Sequence, residues 1–148
     1  MAGLIASEET GRIDWSKGKK AGISYAVLRA GYGTGTIDLL FREHAAGCSR
    51  EGIPFGVYWR SYAYTPDMAE AEAVCCIETI EEFQLALPVW MEYGKDAVRY
   101  AASRGVTVTG SLSAQMRDRF CGRMERAGYR AVYCENIQNF LRISDTLP

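Results

Sequence analysis

The chain has 148 residues, 48% of them hydrophobic and 24% charged, with 17 basic against 18 acidic side chains and a net charge of −1. One domain's worth of chain with that much apolar material excludes an intrinsically disordered polymer, and 15 Gly and 4 Pro without a period exclude a collagen-like fibre. Near-neutrality removes the general electrostatic reason to bind nucleic acid or an anionic membrane, and no apolar run approaches the roughly 20 residues of a membrane span.

The pattern along the chain is alternation of short β-branched and aromatic runs with longer stretches of helical period. Gly3 to Ala6 is a weak first strand, and Asp14 to Ala21 reads as a helix with Asp14 as N-cap and Gly22 as its stop. Ile23 to Ala30 reads as a buried strand ended by the turn Gly31-Tyr32-Gly33. A helix is expected from Asp38 to Arg50, stopped by Gly52, and then a third strand from Ile53 to Trp59. Thr65-Pro66-Asp67 opens a helix to about Phe83, Thr65 suiting an N-cap and Pro66 the first helical position. Leu87 to Tyr93 is the fourth strand, and Val98 to Arg104 a short helix. Ser111 to Ala127 is a longer helix closed by Gly128, Tyr129 to Cys134 is the fifth strand, and a short helical tail follows.

Strand–helix alternation argues for parallel strands joined by crossover helices, in one domain spanning residues 1–148. In open α/β sheets and in barrels, ligand chemistry gathers at the carboxyl ends of the strands. Those ends are rich in aromatic residues: Tyr32, Tyr58, Trp59, Tyr62, Trp90, Tyr93 and Tyr133. Aromatic faces around a polar cleft hold sugar rings, because the C–H face of a pyranose packs on a π surface; the alternative is simple core filling. Glu92 is the one acidic residue inside the fourth strand, where the two-residue period puts Trp90, Glu92 and Gly94 on one face. A carboxylate there lines a cleft or finds a partner, since burying it unpaired is costly; an ion pair with Arg29 is the structural reading and catalysis the functional one.

The other candidates are weaker. His44 and Cys48 are four apart on a predicted helix and share a face, but no orienting acid accompanies them. The glycine-rich Gly31 to Gly35 lacks the spacing of a phosphate loop. The five cysteines, Cys48, Cys75, Cys76, Cys121 and Cys134, fit neither a disulfide scaffold nor a zinc site and read as small buried thiols in a reducing compartment. Met1 to Gly11 has no secretory character, so synthesis in the cytoplasm is expected.

Several segments together resemble glycoside hydrolase family 25 muramidases, the lysozymes of the phage-lysin and Chalaropsis type. They are Ile13-Asp14-Trp15, Lys20-Ala21-Gly22-Ile23, Arg29-Ala30-Gly31-Tyr32-Gly33, Asp38 with Phe41, Gly52-Ile53-Pro54, Gly56-Val57-Tyr58-Trp59, Ser61-Tyr62-Ala63, Ala69 to Glu72, and Pro88-Val89-Trp90. The resemblance implies an incomplete TIM-like β/α barrel of about five parallel strands with alternating helices, its last strands missing. It implies action on peptidoglycan, at the bond between N-acetylmuramic acid and N-acetylglucosamine, without metal or cofactor. It also implies release of the phage type, and it gives Arg29, Tyr32, Asp38, Tyr58, Tyr62 and Trp90 as substrate-binding residues with Glu92 as the catalytic candidate.

The carry-over stops at the chemistry. The family's fourth strand carries Asp-x-Glu, the Glu being the general acid; aligned without gaps, Glu92 stands at the Asp and Gly94 at the acid. Ile5 stands where the first-strand Asp belongs, and the chain stops at Pro148 before the late Asp. The expectation is therefore weak or absent hydrolysis with glycan affinity retained. An active enzyme using Glu92 with Asp96, and a non-catalytic interaction module on the same scaffold, are the other two readings. Open barrel edges are expected to be covered by the tail from Asn136 onward or by a second copy of the chain.

Overall fold

The computed structural model describes residues 2–139. Its elements are β1 (Ala2–Ala6), α1 (Trp15–Lys20), β2 (Ile23–Tyr32), β3 (Thr36–Ile37), α2 (Phe41–Glu51), β4 (Phe55–Arg60), α3 (Pro66–Ile80), β5 (Val89–Glu92), α4 (Lys95–Ser103), α5 (Gly110–Arg126) and β6 (Ala131–Cys134). Five strands run parallel in the order β1-β2-β4-β5-β6, and the two-residue β3 folds back antiparallel onto β2. This is the expected parallel α/β architecture of TIM-like type, with β3 the one strand not read from the sequence. No helix among the described residues is long and apolar enough to cross a membrane.

The two-residue period of the strands sorts their side chains onto two faces. One face carries Leu28, Ala30, Val57, Trp59, Val89 and Met91, which pack under Phe41 and Ala45 of α2, Ala73 and Ile80 of α3, and Met116 and Phe120 of α5. The other carries Val27, Tyr58 and Trp90, buried together with Ile137, while Ile5, Tyr25, Val132 and Cys134 close around them. Helices cover the first face, so the second is the inner, concave side, and the polar ends of its strands form the site.

The helix signals lie where the sequence puts them. Asp14 accepts a hydrogen bond from the Lys17 amide (3.0 Å) and Thr65 one from Met68 (3.1 Å), each satisfying an orphan donor of the first turn. Gly52 ends α2 in the left-handed conformation (φ 68°), which lacks the Cβ penalty only in glycine.

Boundaries move where tertiary contacts override local preference. β2 continues to Tyr32, because Gly31 and Tyr32 pair with Ile37 and Thr36, and the turn shifts to Gly33–Gly35. α2 starts at Phe41 rather than Asp38, whose side chain is taken by the site. α3 stops at Ile80, and Phe83 instead turns inward, edge-on to Phe41 at 5.6 Å. β4 is Phe55–Arg60 rather than 53–59, β5 keeps only Val89–Glu92, and β6 starts at Ala131. α4 begins at Lys95, three residues earlier than the sequence suggests. A helical turn occupies residues 137–139, and the rest of the expected helical tail lies outside the described residues.

Gly31 holds the β2–β3 hairpin against the core. A Cβ there would lie 2.4 Å from the Thr36 carbonyl oxygen and 2.6 Å from the Trp59 ring. Gly31→Ala is expected to lower stability by about 1–3 kcal/mol, the cost of forced overpacking, read as a lower urea midpoint with an unchanged slope.

Candidate active site at the strand ends

A chain of charges runs across the carboxyl ends of the strands. Arg29, near the end of β2, is only 3% exposed. Its Nε donates to Asp38 Oδ2 at 2.8 Å, Nη2 to Glu8 Oε1 at 3.1 Å and Nη1 to Glu9 Oε1 at 3.4 Å. Asp38 is itself buried and also accepts from the amides of Glu8 (3.0 Å) and Leu40 (2.9 Å). Burial is the largest single influence and works against the Arg29 cation, but the bond to Asp38 together with the charges of Tyr58 and Asp38 outweighs it and holds the pKa above the ordinary arginine value. The Arg29 guanidinium also lies 4.8 Å from the centre of the Tyr32 ring.

Glu9 carries the chain on to Arg60, 3.8 Å away, and Arg60 Nε donates to Glu92 Oε1 at 2.8 Å. Burial lowers and the Glu92 bond raises the Arg60 pKa, and the net direction is up. The other oxygen of Glu92, Oε2, accepts the Ile137 amide at 3.0 Å. Glu92 is thus buried with both oxygens engaged as acceptors. Its ion-pair partner is Arg60, not Arg29. The register explains the correction: Arg60 stands opposite Glu92 on the adjacent strand, whereas Arg29 stands opposite Tyr58.

Beside this chain lies a cleft of about 450 Å³, lined among others by Arg60, Tyr62, Glu92, Gly94, Asp96 and Ile137. Of the residues singled out in the sequence, Tyr62, Glu92, Gly94 and Asp96 meet in this cleft. Arg29, Asp38 and Tyr32 belong to the neighbouring charge cluster. Tyr58 and Trp90 are buried on the inner face beneath Ile137. Burial pushes the Tyr58 phenol up to about 12, with Arg60 opposing the rise. Asp96 is 70% exposed on α4 and lies 3.5 Å from Arg99. Gly94 precedes α4 in an extended conformation (φ −106°), and a Cβ there would lie 3.0 Å from the Glu135 carbonyl oxygen.

The His44–Cys48 pair is packing. His44 Nε2 is 3.1 Å from the Gly11 carbonyl oxygen and its ring is edge-on to Trp15, while burial pushes the Cys48 thiol up to about 12. Among the described residues, no three His, Cys, Asp or Glu side chains converge as a metal-binding set.

Four contributors were not named as site residues from the sequence: Glu8, Glu9, Arg60 and Glu72, the last within a segment that carries the family resemblance. Glu8 and Glu9 lie two and three residues past the end of β1, and Arg60 shares the face of Tyr58 by the period of two, so position alone marked them. Glu72, on α3, is fully buried and accepts from Ser61 Oγ (2.5 Å) and the Tyr62 amide (2.9 Å). It fastens the loop after β4, and with it the cleft residue Tyr62, from beneath. Desolvation raises its pKa to about 7 against the relief given by those two bonds.

A parallel sheet with charged side chains gathered at the carboxyl ends of its strands is the arrangement of a TIM-like α/β domain. The chain belongs to glycosyl hydrolases family 25, whose profile matches residues 6–144. The modular autolysin LytC from Streptococcus pneumoniae, determined in complex with a synthetic peptidoglycan ligand, superposes with a TM-score of 0.74 at 26% identity, covering 88% of this chain and 31% of that one. A family 25 glycosyl hydrolase from Bacillus anthracis (TM-score 0.74, 17% identity, 88% of this chain and 58% of that one) shares the fold. So does a GH25 lysozyme from Aspergillus fumigatus (TM-score 0.70, 20% identity, 88% and 62%). The chain therefore spans from about a third to about three fifths of the length of these proteins. A search of curated proteins gave no match.

Two expectations follow from the buried acids. Asp38→Ala leaves the Arg29 cation buried without its nearest partner and should cost about 3 kcal/mol in urea unfolding, a loss that Arg29→Met combined with Asp38→Leu should largely recover. For Glu72, the folded pKa of about 7 lies above the ordinary 4.5, so the native state binds the extra proton and stability falls as pH rises through that window. Glu72→Gln removes this slope: the parent should lose about 2–3 kcal/mol more than the variant between about pH 5 and pH 8, measured by parallel urea titrations.

Proposed function

We propose that this chain is a peptidoglycan-directed domain that retains affinity for wall glycan and hydrolyses the bond between N-acetylmuramic acid and N-acetylglucosamine weakly or not at all. Glycoside hydrolysis needs a carboxylic acid to protonate the leaving oxygen and a second carboxylate to act as nucleophile or base. The observation that carries the reading is the state of Glu92. One oxygen is held by Arg60 at 2.8 Å and the other by the Ile137 amide at 3.0 Å, so neither presents a proton to a sugar.

The position that the family resemblance assigns to the proton donor is Gly94, which has no side chain to give. Ile5, at the position of the first-strand Asp, supplies no charge to stabilise a cationic sugar. Asp96 reaches the same cleft, but its side chain is exposed on α4 and sits 3.5 Å from Arg99, with no second carboxylate beside it on that helix. What remains suits recognition: a polar cleft with Tyr62 on its wall and fixed positive charge at Arg60.

The purified chain should clear a peptidoglycan suspension at least about 10²-fold more slowly than an active family member, the usual contribution of a general acid. Soluble muropeptides should nonetheless shift the NMR resonances of Tyr62, Tyr58 and Trp90. Clearance that vanishes in Glu92→Gln would place a working acid at Glu92. Absence of any shift would leave an interaction module without glycan affinity.

A further inference from the structure

Among the described residues the other aromatic side chains are buried or half-buried, and Tyr100 is exposed. It keeps 43% of its surface exposed on α4, so core filling does not explain its contacts. Its ring meets Tyr62 nearly perpendicular (82°) at 5.9 Å and Tyr64 tilted (56°) at 6.1 Å. Tyr62 is a wall of the cleft, so the three rings form a rim that begins inside it and leads out over α4. The helix gives the same direction: Lys95, Asp96 and Ala97 line the cleft, and Tyr100 lies one turn further, about 6 Å along the axis from Asp96. That advance is comparable with one pyranose. The rim is also held in place. Glu72 fixes the Tyr62 amide from below, and the Arg104 guanidinium stands beside Tyr64, whose side chain raises its pKa. Asp96 and Arg99 stand exposed along the same helix, within reach of hydroxyl and acetamide groups.

We infer that Tyr100, with Tyr64 behind it, forms an outer subsite that takes one additional N-acetylated hexosamine of a glycan strand already seated against Tyr62. The sugar's C–H face packs on exposed ring, and the polar groups of α4 meet its edge. This rests on the glycan-binding reading above and adds a prediction about chain length that the reading does not make. An outer subsite gives no benefit to a disaccharide confined to the cleft and a measurable one to a tetrasaccharide.

The test is a pair of NMR titrations of the whole chain, with a soluble peptidoglycan disaccharide and with the corresponding tetrasaccharide. One aromatic contact is worth about 1 kcal/mol, so the tetrasaccharide should bind about fivefold more tightly. Tyr100→Ala should abolish that gain and leave the disaccharide affinity unchanged, while Tyr100→Phe should keep it. Because Tyr100 is exposed, both variants should retain the parent's amide spectrum away from α4. If the disaccharide binds and the tetrasaccharide binds no tighter, or if Tyr100→Ala retains the gain, the outer subsite is wrong and the glycan reading stands. If neither saccharide binds, both fall together.

Discussion

Everything at the strand ends depends on one buried cation. Arg29 cannot be placed at the end of a parallel sheet, 3% exposed, unless carboxylates come to it, because the desolvation of an unpaired guanidinium exceeds what packing returns. Asp38 comes from beyond the β2–β3 hairpin, and Glu8 and Glu9 come from the end of β1. Satisfying Arg29 therefore fixes two connections that share no regular secondary structure. Glu9 is shared with Arg60, and Arg60 with Glu92, so the order imposed at β2 passes to β4 and β5. Alternating charge gives every member at least one opposite partner, and the buried ones, Arg29, Asp38 and Glu92, are each compensated.

The alternation of strands and helices was legible in the chain because parallel strands buried on both faces read as continuous apolar runs, such as Ile23 to Ala30. Caps at Asp14 and Thr65 and the stop at Gly52 were legible because their chemistry is local. The hairpin at Thr36–Ile37 was not: two exposed residues carry no period, and their pairing is set by β2. The site was half legible. Glu92 stood out as a lone acid in an apolar strand, yet its partner is chosen by strand register, which periodicity alone does not give. Glu72 was hidden inside an ordinary helix pattern, because nothing in one sequence says which polar residue of α3 faces inward.

Membership of a hydrolase family fixes the scaffold and leaves the chemistry to be argued residue by residue. In this chain the acid of the fourth parallel strand is held within the structure: Glu92 ties β5 to β4 through Arg60, and to the segment after β6 through Ile137.

Gly94 and that last tie are mechanically coupled. A side chain at position 94 presses on the Glu135 carbonyl, 3.0 Å from where its Cβ would stand, and Glu135 is two residues from the amide that occupies Glu92 Oε2. Relieving the pressure means moving the peptide that delivers Ile137. A carboxyl placed at 94 thus also tends to uncap the neighbouring one. The two positions are mechanically linked, so a substitution at one is felt as a disturbed bond at the other.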